Sequence, residues 1–154
     1  MGYKQSEIGY LTTLFDTQTE AIRILLIEDN PGDVRLIREL LSEAKGIRFK
    51  MESAGSLTKG LKLLAEKEFD MVLLDLALPD CRGLEVLEKV LVQAPTVPIV
   101  LLTGTFDEES LAIKALRKGA EDYLFKGNID GNLLTRSIKY AIERKRLKNL
   151  EKKK

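Results

Sequence analysis

Five side chains whose types suit chemistry on a phosphoryl group each follow a short apolar run. Glu28 and Asp29 follow residues 24–27 (ILLI), Asp75 follows 71–74 (MVLL), Thr103 follows 99–102 (IVLL), and Lys126 follows Phe125. The 154-residue chain has no His and a single Cys, Cys81. That excludes Ser-His and Cys-His nucleophile pairs, an imidazole general base, HExxH zinc chemistry and an internal disulfide. Chemistry is left to carboxylates, hydroxyls and Lys.

Three carboxylates gathered at one rim repel one another and call for a hard divalent cation with oxygen ligands, for which Mg2+ is the default. The Thr103 hydroxyl and the Lys126 ammonium add the hydrogen bonds and positive charge that phosphoryl oxygens require. Asp75 is the best acceptor, because its run is the middle one of the three, with the acid pair on one side and Thr103 and Lys126 on the other. Each residue alone has an ordinary reading: Asp75 as a turn or cap, Glu28-Asp29 as acids near a helix start, Thr103 as a satisfied strand-end hydroxyl, Lys126 as solvated surface. Agreement among four strand ends favours the chemical one.

The elements that must position these residues alternate. Residues 24–27, 71–74 and 99–102 are continuously apolar, as strands buried on both faces should be, whereas 48–53 and 120–125 are mixed and suit edges. Asn30-Pro31 opens a helix with Val34, Ile37, Leu40 and Leu41 on its apolar face. Ser56 caps a second, with Leu57, Leu61 and Leu64 inward and Gly60 costing about 1 kcal/mol against Ala. Gly83 precedes a third, carrying Leu84, Leu87 and Leu91. Residues 105–108 read as a capping box for a fourth, which Gly119 ends. The fifth starts at Asp130, with Ile129 and Leu134 as a hydrophobic staple, and runs past Leu147. Five strands and five helices in alternation predict a doubly wound α/β domain whose function gathers at the carboxyl ends of its central strands.

Charge is uneven along the chain. Lys plus Arg number 25 against 24 Asp plus Glu, for a net +1, yet residues 136–154 alone carry nine basic and two acidic side chains. A solvated helix face or linker suits that segment better than a nucleic-acid patch, since Tyr140 is its only aromatic. Leu133, Tyr140 and Leu147 recur at heptad spacing and allow a weak homodimer through a helix pair. Residues 1–21 read as an acidic tail or a short helix, 22–145 as the domain, and 146–154 as the basic extension or linker. Neither a membrane span nor a signal peptide is visible, so a cytoplasmic location is expected.

The chain resembles the receiver domain of two-component response regulators. The resemblance is carried by Ile27-Glu28-Asp29-Asn30-Pro31, by Leu74-Asp75-Leu76-Ala77-Leu78-Pro79, by Leu102-Thr103-Gly104, and by residues 119–126 (GAEDYLFK). It covers residues 22–145 and implies a flavodoxin-like receiver fold with a five-stranded parallel sheet, not an enzyme in its own right. By resemblance Asp75 is the phosphoacceptor, phosphorylated from a partner histidine. Asp29, Asp75 and the Ala77 carbonyl are Mg2+ ligands, and Glu28 acts on the ion through water. Lys126 pairs with the acyl phosphate, Thr103 moves to bond it, Tyr123 follows that movement, and Gly104 leaves room at the site. Output is expected through the fourth helix, fifth strand and fifth helix. The chain departs from the family at Gly127, where a proline, often preceded by a cis peptide, is usual, and at Cys81-Arg82 in the loop after the acceptor.

Rival functions are weaker on sequence. A phosphohydrolase of the haloacid-dehalogenase type needs a second Asp two residues after the nucleophile, and Ala77 stands there. Dinucleotide and P-loop sites need GxGxxG or GxxxxGK[ST] after a strand, and none follows one. A flavin-binding domain would give a yellow preparation. A receiver fragment of a larger hybrid sensor kinase or cyclase is the remaining alternative.

Overall fold

The computed structural model describes residues 20–104 and 109–152. The expected N-terminal tail, apart from residues 20 and 21, and the capping box at 105–108 therefore lie outside the described residues. Strands and helices alternate: β1 (Ile22–Ile27), α1 (Pro31–Ser42), β2 (Phe49–Ala54), α2 (Leu57–Glu66), β3 (Met71–Asp75), α3 (Leu84–Gln93), β4 (Ile99–Thr103), α4 (Glu109–Lys118), β5 (Asp122–Phe125) and α5 (Gly131–Lys152). A single 3-10 turn, Lys126–Asn128, links β5 to α5.

The five strands form one parallel sheet in the order β2-β1-β3-β4-β5. The continuously apolar strands are the three central ones, and the mixed strands are the edges. Alternate residues serve opposite faces, as the period of two in a strand requires. Leu25, Ile27, Val72, Leu74, Ile99 and Leu101 pack with Leu57, Val86, Leu87, Val90, Ala112 and Ala115, so α2, α3 and α4 cover one face. Ile24, Leu26, Met71, Leu73, Val100 and Leu102 pack with Ile37, Leu41, Leu134, Ile138 and Ala141, so α1 and α5 cover the other. Each fully buried aliphatic side chain contributes about 1.5–3 kcal/mol against remaining in water.

The caps act as the sequence implies. Asn30 Oδ1 accepts from the Asp33 N–H, Ser56 Oγ from the Lys59 N–H, and Asp130 Oδ1 from the Leu133 N–H. Gly119 closes α4 at φ 135°. The inward face of α3 differs from expectation: Val86, Leu87 and Val90 are buried, while Leu84 and Leu91 are only partly so. Apolar residues occur almost all round α3, so apolarity did not single out the face, and the sheet takes the row at 86, 87 and 90.

Gly60 has a packing reason. A Cβ there would fall 2.5 Å from Ile27 Cδ1, so the missing side chain lets α2 lie close against β1. The helix accepts a poor helix former to bring its axis down onto the strand that carries Glu28.

Candidate functional site

Strand register assembles the rim. Ile27 pairs with Leu74, so Glu28 lies level with Asp75. Asp75 pairs with Leu102, so Thr103 stands one residue farther along, and Thr103 pairs with Phe125, so Lys126 stands one farther again. The polar residues descend the carboxyl edge of the sheet like a staircase. They surround the crevice between β1 and β3, where the order of strand connection reverses and the loops diverge.

Glu28, Asp29 and Asp75 each bring a carboxylate oxygen within 4.8 Å of the others. Glu28 and Asp75 are only 2% and 6% exposed, while Asp29 is open to solvent. Lys126 Nζ donates to Asp75 Oδ2 at 2.9 Å and to Asp33 Oδ2 at 3.0 Å, and it contacts Glu28 Oε1. Asp75 Oδ1 accepts from the Ala77 N–H at 2.8 Å, and Glu28 Oε2 accepts from the Asn30 N–H at 3.3 Å. Glu28 Oε1 touches the ammonium but has no well-directed hydrogen bond.

The electrostatics follow from this crowding. Burial pushes the Glu28 carboxyl up to about 7; the Lys126 ammonium pulls it down, and Asp75 raises it again. Burial acts against the Lys126 charge, but its contacts with the Glu28, Asp75 and Asp33 carboxylates outweigh it, so the ammonium holds its proton more tightly than an ordinary lysine. An excess of buried negative charge with one fixed cation is an environment into which a divalent ion fits: its ligands would be carboxylate oxygens, one of them lacking a well-directed hydrogen bond.

Thr103 sits at the rim with its hydroxyl engaged elsewhere, donating to the Leu124 carbonyl at 3.4 Å. Tyr123 is half-buried against the cluster beneath α2, α3 and α4. Strand alternation places Thr103 on that same face of the sheet. Gly104 is exposed. Lys126-Gly127 forms a trans 3-10 turn, and a Cβ at Gly127 would meet the Phe125 ring at 2.8 Å, so the loop with glycine in the family's proline position is built around that ring.

Two residues the sequence reading passed over belong to this site. Asp33 reaches Lys126 across 93 residues of chain; as an acid in the first turn of a helix it reads as an ordinary favourable charge, and nothing local points to Lys126. Asp80 ties the loop after β3 to the start of α2, accepting from the Leu57 and Thr58 N–H groups at 2.9 Å each and from Thr58 Oγ1 at 2.7 Å. The Thr58 hydroxyl and the two amides hold its carboxyl down to about 2. Within the same loop, Ala77 bridges Arg82 and the Gly83 N–H bonds the Leu76 carbonyl.

The sequence pattern of the response regulator receiver domain matches residues 24–139. The chain belongs to that family. Among curated relatives, a probable C4-dicarboxylate response regulator of Bacillus subtilis (strain 168) is 30% identical over 104 residues, covering 68% of this chain and 45% of the relative. A cell cycle transcriptional regulator of Caulobacter vibrioides (strain NA1000 / CB15N) is 34% identical over 105 residues, covering 68% and 44%. The receiver chain thus spans less than half the length of these curated relatives. Among solved structures, a response regulator receiver domain from Clostridium thermocellum superposes with a TM-score of 0.70 at 31% identity, covering 81% of this chain and 97% of that one. Receiver domains are phosphoacceptors in two-component signalling rather than conventional enzymes, and this receiver carries the acidic cluster typical of them. Among the described residues no helix is long and apolar enough to cross a membrane.

Proposed function

We propose that this receiver accepts a phosphoryl group on Asp75 from a phosphohistidine of a partner kinase or phosphotransfer protein. The observation that carries the reading is the position of Asp75: Lys126 Nζ lies 2.9 Å from its Oδ2, and carboxylate oxygens of Glu28 and Asp29 lie within 4.8 Å of one of its own. A carboxylate oxygen attacks phosphorus, an O–P bond forms, the P–N bond breaks, and the electron pair leaves with the imidazole. Bound among Asp29, Asp75 and the Ala77 carbonyl, with Glu28 acting through water, Mg2+ would supply the positive charge that offsets the carboxylates and the incoming phosphoryl oxygens. Lys126 exchanges a carboxylate for a phosphoryl oxygen as a partner.

Thr103 gives up the Leu124 carbonyl to bond the phosphoryl group, and Tyr123 takes the space this leaves. The altered surface is that of α4, β5 and α5, where an output partner or domain reads the state. A cytoplasmic location suits such signalling. Incubation with acetyl phosphate and Mg2+ is expected to add one phosphate to the chain and none to Asp75→Asn; equal labelling of that variant would sink the assignment.

A further inference from the structure

We infer that Asp33 is a positioning residue for phosphoryl transfer, acting through Lys126 by holding its ammonium against the phosphoryl site. The inference rests on the reading of Asp75 as acceptor and goes beyond it. Among the described residues three carboxylates touch Lys126 Nζ: Glu28, Asp75 and Asp33. Glu28 and Asp75 also belong to the acidic cluster with Asp29, and Asp33 does not. Once a cation and a phosphoryl group occupy the site, Glu28 and Asp75 have other partners. Asp33 is the carboxylate left to the ammonium.

Local structure prepares Asp33 for that role. It is the third residue of α1, and its N–H bonds Asn30 Oδ1 at 3.1 Å. Pro31 fixes the backbone at the first position of the helix. The carboxylate is thus presented by a capped helix start, whereas Lys126 reaches the site on a flexible four-carbon stem. Holding a lysine head in one place opposes the rotamer entropy of its long stem, so a prearranged partner improves its aim. An incidental surface ion pair would do less, but the Lys126 side chain is only 14% exposed and that of Asp33 30%.

The test is labelling by acetyl phosphate in saturating Mg2+: a carboxylate oxygen of Asp75 attacks phosphorus, and acetate leaves with the electrons of the broken P–O bond. Asp33→Asn should label about 3- to 10-fold more slowly than wild type, well short of the roughly 100- to 1,000-fold cost of removing a charge-stabilising donor outright, because Lys126 itself remains. Asp33→Glu should recover part of the rate. In a Lys126→Ala background, Asp33→Asn should change nothing further, because its route of action is gone. A wild-type or faster rate in Asp33→Asn overturns the inference. So does an equal loss with and without Lys126, which would mark a structural role.

If the Lys126→Ala chains label too slowly to compare, the proton-nitrogen resonance of the Lys126 ammonium decides, with beryllofluoride as the phosphoryl mimic. Slowed proton exchange in wild type that is lost in Asp33→Asn supports the tether, and identical resonances overturn it. Labelling of Asp75→Asn would instead defeat the acceptor reading, whereas a silent Asp75→Asn beside a wild-type rate in Asp33→Asn defeats this inference alone.

Discussion

The Thr103 hydroxyl donates to the carbonyl of Leu124 on the neighbouring strand at 3.4 Å, a long hydrogen bond. Oxygen-to-oxygen hydrogen bonds favour about 2.7–2.8 Å, so little is lost when this one is exchanged for a bond to a charged acceptor. Thr103→Ala should accept phosphate yet fail to pass the signal on. NMR shifts in residues 109–126 on adding beryllofluoride and Mg2+ should be large in wild type and mostly absent in the variant. Identical responses would remove Thr103 from the switch.

Cation affinity should depend most on Asp29 and Asp75. Losing either leaves too few anionic oxygens for a strongly hydrated ion, and the expected fall is about tenfold or more. Glu28→Ala should cost less, since Glu28 acts through water. Calorimetric titration of the three alanine variants with Mg2+ ranks them, and a ranking with Glu28→Ala as the worst would overturn the ligand roles.

Glu28 makes the metal-free fold sensitive to pH. Its carboxyl is raised from 4.5 to about 7 in the folded chain, first by burial. Between those values the folded state keeps a proton that the unfolded state releases, so stability falls as pH rises through the window, and the deficit is complete above about pH 7. Urea unfolding in EDTA should show a loss on the order of 2 kcal/mol from this group between pH 5 and 8. Glu28→Gln should flatten that slope, and saturating Mg2+ should reduce it because the cation competes with the proton.

Gly60→Ala is expected to destabilise the protein although alanine is the better helix former by about 1 kcal/mol. The new methyl would meet Ile27 Cδ1 at 2.5 Å and Cγ1 at 2.9 Å, and Ile27 is fully buried. Overpacking of this kind costs about 1–3 kcal/mol. Thermal melting should show a drop of several degrees in Gly60→Ala and partial recovery in the double variant with Ile27→Val, which removes the clashing Cδ1.

The basic end of α5 is anchored at its start. Glu121, whose side chain is buried, pairs with Lys148 at 3.0 Å and Arg144 at 3.6 Å, and Asn149 donates to the Thr96 carbonyl. Removing residues 147–154 should leave folding and phosphorylation intact, because Arg144 still meets Glu121. The expected cost is about 1 kcal/mol by urea unfolding. Sedimentation should show a folded monomer, with any self-association through Tyr140, Leu147 and Leu150 weakened.

The sequence made the sheet legible where burial is two-sided. Residues 24–27, 71–74 and 99–102 are apolar without a break because water reaches neither face, and Asn30, Ser56 and Asp130 are caps because their side chains replace missing helical partners. Glu28, Asp29, Asp75 and Lys126 could be grouped because a parallel sheet sends all its strand ends to one rim. What stayed hidden depends on distance in space. Asp33 and Asp80 act on partners 93 and 22 or more residues away. Gly60 is explained only by the isoleucine beneath it. Lys145 lies in a run of charges that reads as solvated, yet it is buried against the body of the domain.

The staircase of strand ends makes the chemistry a measure of folding fidelity. Thr103 and Lys126 reach their places only because β4 and β5 each pair one step farther along than their neighbour. A slip of one residue in either strand would turn its side chains to the opposite face and withdraw one member of the site. A misregistered population would still contain helix and sheet and would escape detection by circular dichroism. A population with β4 misregistered would take up phosphate without Thr103 and stay silent, so uptake in excess of the beryllofluoride response of residues 109–126 measures the misassembled fraction.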